Sequence, residues 1–336
     1  MYYDQGIDEF LELRTHLLDE DGHELVTEAR TSVQYVNNVI RLVDNLMNTA
    51  HPVFKVLDQR GAKVVRMDHL GQRVLMLSKG AAGWYERHLP LYRINPLFSL
   101  FKRFLGPFSA INGTPLASDV DLLNKAVEKL RAFRHSPALK RRLANMRRCR
   151  LDNEFSARKL CAAVRSEFRR TLVIRIDLGY VSVRRDGKGY GAAPVTFAKA
   201  RRDRDKFLAK LRKGPDSKYV VGYVWKMEYG IDKGYHFHIA VFFDGQYRCR
   251  DIHLANRLGA LWKTLATDGL GTFFNCNLRK EKYERSGLGM AHCGDHEKWH
   301  NVVEYAIGYL WKADLFLRFR TPGKLRAFGV GGPYRT

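Results

Sequence analysis

The stretch that most constrains this chain is Gly222 to Asp244, which reads GYVWKMEYGIDKGYHFHIAVFFD. Val220 to Tyr229 and Tyr235 to Phe243 are rich in β-branched and aromatic residues. Between them, Gly230-Ile231-Asp232-Lys233-Gly234 supplies the glycines and Asp of a reversal, so the segment reads as a β-hairpin. Side chains two apart in a strand share a face, which puts His236 and His238 on one side. With the turn centred near Asp232, Glu228 falls opposite His236, on the same face and within cross-strand reach. Two imidazoles and a carboxylate converging on a stiff ribbon suit a divalent cation with positions left open. A hairpin whose alternate residues simply face solvent fits the same alternation.

Downstream, Trp299 to Phe316 (WHNVVEYAIGYLWKADLF) reads as a helix, with apolar residues at Val302, Val303, Ala306, Ile307 and Leu310. Tyr305 and Tyr309 lie four apart and so share a helical face, with Lys312 one turn beyond Tyr309. A half-buried aromatic stripe is the plainer reading of that pattern.

Together these pieces resemble the HUH endonucleases, the superfamily of rolling-circle replication initiators, relaxases and related transposases. His236-Phe237-His238 matches the His-hydrophobe-His motif, and Glu228 lies where many initiators place a third ligand. Tyr305-Ala-Ile-Gly-Tyr309-Leu-Trp-Lys312 looks like the two-tyrosine motif of single-stranded DNA phage replication proteins. Across Tyr219 to Gly332, the phrases GYVWKMEYG, GYHFHI, GTFFNCN, GLGM and YLWKAD are similar to the inovirus replication-protein-like family, also seen as YagK/YfjJ-type prophage proteins. Those relatives carry a single Tyr ahead of Leu-x-Lys, which favours Tyr309 as nucleophile and leaves Tyr305 as a candidate second one.

The resemblance implies an α+β fold: an HUH-type antiparallel sheet with flanking helices, of the ferredoxin or RRM-like kind, over residues 169–320. It implies Mg²⁺ or Mn²⁺ held by Glu228, His236 and His238, and Lys312 offsetting charge near Tyr309. The activity implied is nicking and joining of single-stranded DNA through a 5′-phosphotyrosine, to start rolling-circle replication of a phage, prophage or plasmid. The partners would be a replication origin and the host helicase and polymerase. Thr171 to Val183 falls where the family carries its first motif strand, beside the metal strand. Asp177, the one carboxylate in that run, is then either a further metal contact or an orienter of a histidine, or else merely a strand-end residue. Asn275, Asn277 and Lys280 would contact DNA. The rival from another class is a non-catalytic DNA-binding regulator, or an RNA-binding protein, on the same fold.

Charge bears on the partner. The 336 residues carry a formal net charge of +23, a surface suited to a polyanion. No apolar run approaches the ~20 residues of a spanning helix. The opening MYYDQGIDEFLEL is mixed and acidic, unlike a secretory signal, so a cytoplasmic protein of a bacterial host is expected. Five cysteines without a Cys-x-x-Cys read as reduced thiols. His292, Cys293, His296 and His300 have helical metal spacing, but Gly294-Asp295 interrupts them and Asp295 reads as an N-cap.

Residues 1–168 read as a mostly helical accessory region for origin binding or oligomerisation. Glu24 to Met47 has a helical period, KVVRM and RVLML look like short strands, and Ser118 opens a helix with Asp121 as its capping partner. Ser136-Pro137 starts a helix carrying Lys140, Arg141, Arg142, Arg147 and Arg148, a density suited to tracking phosphates and also that of an ordinary solvated face. Asp251 reads as the N-cap of a helix to Ala266, and residues 321–336 as a mobile, basic, Gly-rich tail.

Overall fold

The computed structural model describes residues 16–18, 24–26, 28–80, 91–185, 189–192, 195–230, 233–282, 285–312, 317–319, 321 and 325–332. The acidic opening, residues 81–90, the middle of the hairpin turn and residues 313–316 lie outside them. The chain forms two compact units, Met1–Cys149 with Asp314–Arg318, and Arg150–Ala313 with Phe319–Thr336. The division falls inside a helix, ahead of the 168/169 boundary expected from the sequence.

In the first unit, α1 (Glu28–Met47), the hairpin β1–β2 (Phe54–Gln59, Ala62–Met67), α2 (His69–Lys79), α3 (Pro96–Phe104) and α4 (Ala117–Ala132) enclose one core. Val36, Val39, Ile40 and Val43 of α1 meet Leu97, Phe98, Phe101, Leu123 and Val127 there. KVVRM forms the expected strand, turned through Gly61 at φ 81°. RVLML is helical instead: Asp68 caps the backbone N–H of Gly71, and one apolar face, Val74, Leu75 and Leu77, is buried. α4 begins at Ala117, and its reciprocal bond comes from Asp119, which accepts from Leu116 N–H, rather than from Asp121. The buried Arg131 donates to the carbonyls of Leu46 and His51, closing the end of α1.

α5 (Pro137–Glu167) starts as expected on Ser136, whose Oγ accepts from Leu139 N–H, with Pro137 in the first turn. Its later half belongs to the second unit. There β3 (Arg170–Tyr180), α6 (Phe197–Lys213), β4 (Val220–Gly230), β5 (Gly234–Asp244), α7 (Asp251–Leu261), β6 (Gly271–Asn275), β7 (Gly289–His292) and β8 (Phe328–Gly331) follow. The strands make one antiparallel sheet ordered β6–β3–β5–β4–β8, with β7 also on β3. An α+β architecture with the His-bearing strand at its centre is therefore present.

One face of the sheet is apolar. Phe237 of β5, Tyr180 of β3 and Phe207 of α6 surround Trp262, which is fully buried in a π-helical turn after α7 and donates to Gly179 O at 2.7 Å. α7 starts at Asp251 itself, with Arg250 in the N-cap position and no side-chain cap bond, so Asp251 sits one position inside the expected cap. The Gly-rich tail contributes β8, an edge strand on β4. Its glycines are needed for closeness rather than mobility: a Cβ on Gly329 would lie 2.6 Å from Trp225 Nε1 and one on Gly331 2.2 Å from the Tyr223 ring.

Candidate metal centre

The hairpin register is the one the sequence predicts, with Glu228 opposite His236 and Asp177 of β3 opposite His238 on the other side. Alternation then gathers Arg175, Asp177, His236, His238, Lys226 and Glu228 on the face away from Trp262. Lys226 and Arg175 were readable from the same parity, since each lies two residues from a predicted site carboxylate. Glu228 is 2% exposed, His236 8% and His238 3%. The solvent-facing reading of the hairpin is overturned by this burial.

Close polar contacts at Nδ1 orient both imidazoles. His236 Nδ1 lies 3.1 Å from Gly234 O, and a carbonyl only accepts, so Nδ1 carries the proton. His238 Nδ1 lies 2.7 Å from Asp177 Oδ1, a short contact bent away from an ideal hydrogen-bond line. Asp177 thus takes the orienting position of the alternatives left open, with its Oδ1 sealed while 26% of the side chain remains exposed. Burial pushes its carboxyl up, but His238 and Arg175 outweigh that and hold it well below the usual range. For His236, burial and the neighbouring His238 lower the pKa to about 3, so it is neutral near pH 7.

What remains is a pair of Nε2 atoms, buried and without a hydrogen-bond partner, each 3.8 Å from Glu228 Oε2. Among the described residues, Glu228, His236 and His238 are the group whose ligand atoms all lie within 4.8 Å of one another. Two metal–ligand bonds of about 2.1 Å span such a separation at a wide angle. Lone pairs aimed at a carboxylate in a dry site repel unless a cation lies between them, and the Nδ1 partners are those that orient metal-bound histidines. This donor set fits a divalent ion. By contrast, His296 Nδ1 is 3.1 Å from an Arg165 nitrogen, so the downstream histidines form no such group.

The tyrosine segment departs from a continuous helix. Asp295 caps α8 (His296–Asn301) as expected. A π-helical turn then runs over Val302–Ala306, closed by Ile307 N–H to Val302 O, and after Ile307-Gly308 the chain resumes as α9 (Tyr309–Lys312). The wider turn and the break rotate the two tyrosines apart. Tyr309 is 1% exposed, its ring edge-on to His238 at 5.2 Å. Tyr305 is half-exposed, with its hydroxyl accepting from Arg285 at 2.6 Å and its ring against His300. Lys312 is held by Glu304 at 3.2 Å, and Glu304 also takes Arg158 of α5 at 2.5 Å. Arg175 lies over Tyr309, its guanidinium 3.9 Å from the ring centroid. Burial raises the Tyr309 phenol well above its ordinary pKa, and Arg175 opposes that rise.

Of the residues expected to contact nucleic acid, the structure spends three on the fold. Asn277 is fully buried: its Oδ1 accepts from Arg175 N–H, and its Nδ2 donates to Val173 O and Asp251 Oδ2. Asn275 donates to Ile252 O and Asn256, and Lys280 pairs with Asp251 at 2.8 Å. They lock β6 and the following turn to α7 and β3. Lys140, Arg141, Arg142, Arg147 and Arg148 are all exposed along α5 and keep a surface available to phosphates. Among the described residues, no helix is long and apolar enough to cross a membrane. Compared with family models, curated proteins and solved structures, the chain has no match.

Proposed function

We propose that this protein is a metal-dependent nuclease of single-stranded DNA that nicks and rejoins strands through Tyr309, in the manner of the HUH rolling-circle initiators. The observation that carries the reading is the contact of the Tyr309 ring with His238, one of the residues that aims a bare Nε2 at Glu228. A tyrosine nucleophile and a divalent-cation site share one sheet face.

The chemistry follows from those neighbours. Tyr309 Oη attacks the phosphorus of a phosphodiester, a new P–Oη bond forms, the bond to the 3′ oxygen breaks, and the proton lost by the phenol balances the one that this oxygen takes up as it leaves as a hydroxyl. The phosphotyrosine conserves the ester for rejoining. An unperturbed tyrosine is ionised about once in a thousand molecules at neutral pH, and burial makes Tyr309 harder still to ionise. Arg175, over the ring, stabilises negative charge as it develops on the phenol. Mg²⁺ or Mn²⁺ bound by Glu228, His236 and His238 would supply Lewis-acid stabilisation of the phosphate oxygens. Asp177 holds His238 in orientation. The exposed arginines of α5 neutralise backbone phosphates without reading bases.

The test is a covalent-adduct gel: protein, labelled single-stranded DNA and Mn²⁺, denatured before electrophoresis. The unaltered protein gives a shifted band that disappears with chelator, with Tyr309→Phe and with His236→Ala. The burial of Tyr309 is the observation favouring the other reading, a DNA-binding regulator without chemistry. Intact DNA binding with no adduct on any substrate, phage-type origins included, selects that reading.

A further inference from the structure

At the end of the β4–β5 ribbon remote from Glu228 and the histidines, the chain builds a second ordered cluster that the proposed chemistry does not use. Tyr219, just before β4, and Tyr247, just after β5, face each other with ring centroids 5.3 Å apart and planes inclined at 36°. The Arg248 guanidinium covers Tyr219 at 3.8 Å from its centroid. That guanidinium is fixed in turn, because its Nε and Nη2 both donate to Asp216 Oδ1, at 3.1 and 2.7 Å. Asp216 also pairs with Arg257 at 2.9 Å, so its charge is fully engaged. Arg248 and Lys218, the latter's Nζ 4.9 Å from the centroid, thus both lie over Tyr219, and Tyr247, against the same ring, is 62% exposed.

Two features give this cluster a ligand. A phenol ring held by a clamped neighbour is already ordered, so a flat partner can settle on it with little further loss of side-chain freedom. The exposed charges bordering it, Lys218 and Arg250, are cationic, on a chain of net charge +23. A partner with alternating π-faces and anions matches that pattern, and single-stranded nucleic acid is such a partner. Nine residues of strand between Tyr219 and Glu228 correspond to roughly 30 Å, far enough for the two sites to engage different nucleotides of one strand.

We propose that Tyr247, backed by Tyr219 and Arg248, is a base-stacking platform that binds single-stranded DNA away from the site of cleavage. Lys218 and Arg250 hold the flanking phosphates. The inference rests on the nucleic-acid half of the reading above but not on its chemistry.

The experiment uses the full chain with EDTA present and follows the anisotropy of a fluorescein-labelled oligothymidylate. Tyr247→Ala weakens binding on the order of tenfold, Tyr247→Phe binds as the unaltered protein does, and a duplex probe is insensitive to both substitutions. Irradiation with an iododeoxyuridine oligonucleotide crosslinks Tyr247. Equal affinities for Tyr247→Ala and the unaltered protein, or crosslinks confined to other segments, overturn the platform. The two proposals fail separately: loss of binding in Tyr247→Ala with no Mn²⁺-dependent adduct from any form of the protein keeps the platform and removes the nuclease. An adduct with unchanged binding does the reverse.

Discussion

The two faces of the central sheet come from alternating residues of the same strands and are built on opposite physical terms. On one, Phe237 and Tyr180 close around Trp262, and each side chain gains by leaving water. On the other, Arg175, Asp177, His236, His238, Lys226 and Glu228 follow the same pleat, all but Asp177 nearly as deeply buried. Burying ionisable groups costs several kcal/mol unless each is paired; Asp177 lies against Arg175 and His238, whereas the Nε2 atoms of His236 and His238 have no hydrogen-bond partner. The difference separates an apolar side that packs the sheet against its helices from a polar side that carries the candidate cation site.

The largest effect that would break this contrast lies on the apolar face. Trp262→Ala removes the residue that Phe237, Phe207 and Tyr180 all touch and leaves Gly179 O without its donor. The expected loss is about 3–5 kcal/mol in chemical denaturation. A loss below about 1 kcal/mol would mean that the apolar face is not what stabilises the second unit.

The polar face responds with the opposite sign. Glu228→Gln replaces a carboxylate facing two bare Nε2 atoms with an amide that can donate to one of them. Without metal the variant is expected to be more stable than the unaltered protein by about 1 kcal/mol. Mn²⁺ at about a hundred times its dissociation constant stabilises the unaltered protein by about 2.7 kcal/mol and leaves the variant unmoved. Thermal melting with and without Mn²⁺ reads both. An unaltered protein indifferent to Mn²⁺ would make the cluster a structural network rather than a cation site.

How much of this was legible beforehand depends on which interactions set each feature. The hairpin register was readable because β-propensity, two glycines and strict alternation all act within a few residues, and they fix Glu228 against His236. The caps at Ser136 and Asp295 are equally local. RVLML was not, since five residues are too few to separate a helical period from a strand. The tail strand was hidden because its glycines serve Trp225 and Tyr223, contacts distant in sequence. Asn275 and Asn277 were expected to contact DNA, and only the fold shows that Asn277 satisfies buried backbone of β3 while Asn275 ties to Ile252 and Asn256 of α7. Arg175 carried a signal that parity alone exposes: it shares a face with Asp177.

The smallest expected effect concerns the two tyrosines, a local version of the same contrast. Four-residue spacing puts Tyr305 and Tyr309 on one face only if the helix is continuous, and the π-turn at Val302–Ala306 breaks that condition. Gly308 secures the break, for a Cβ there would lie 2.2 Å from Glu304 O. The Tyr305 hydroxyl meets Arg285 at the surface, whereas Tyr309 lies against His238. Tyr305→Phe therefore changes stability by no more than about 0.5 kcal/mol, as surface substitutions do. Adduct yield and strand transfer should equal those of the unaltered protein, while Tyr309→Phe abolishes both. Reduced strand transfer with normal first cleavage in Tyr305→Phe would show instead that the segment re-forms as one helix on DNA. That would return Tyr305 to the metal face as a second nucleophile, and the break seen here would then be one state of a bistable element.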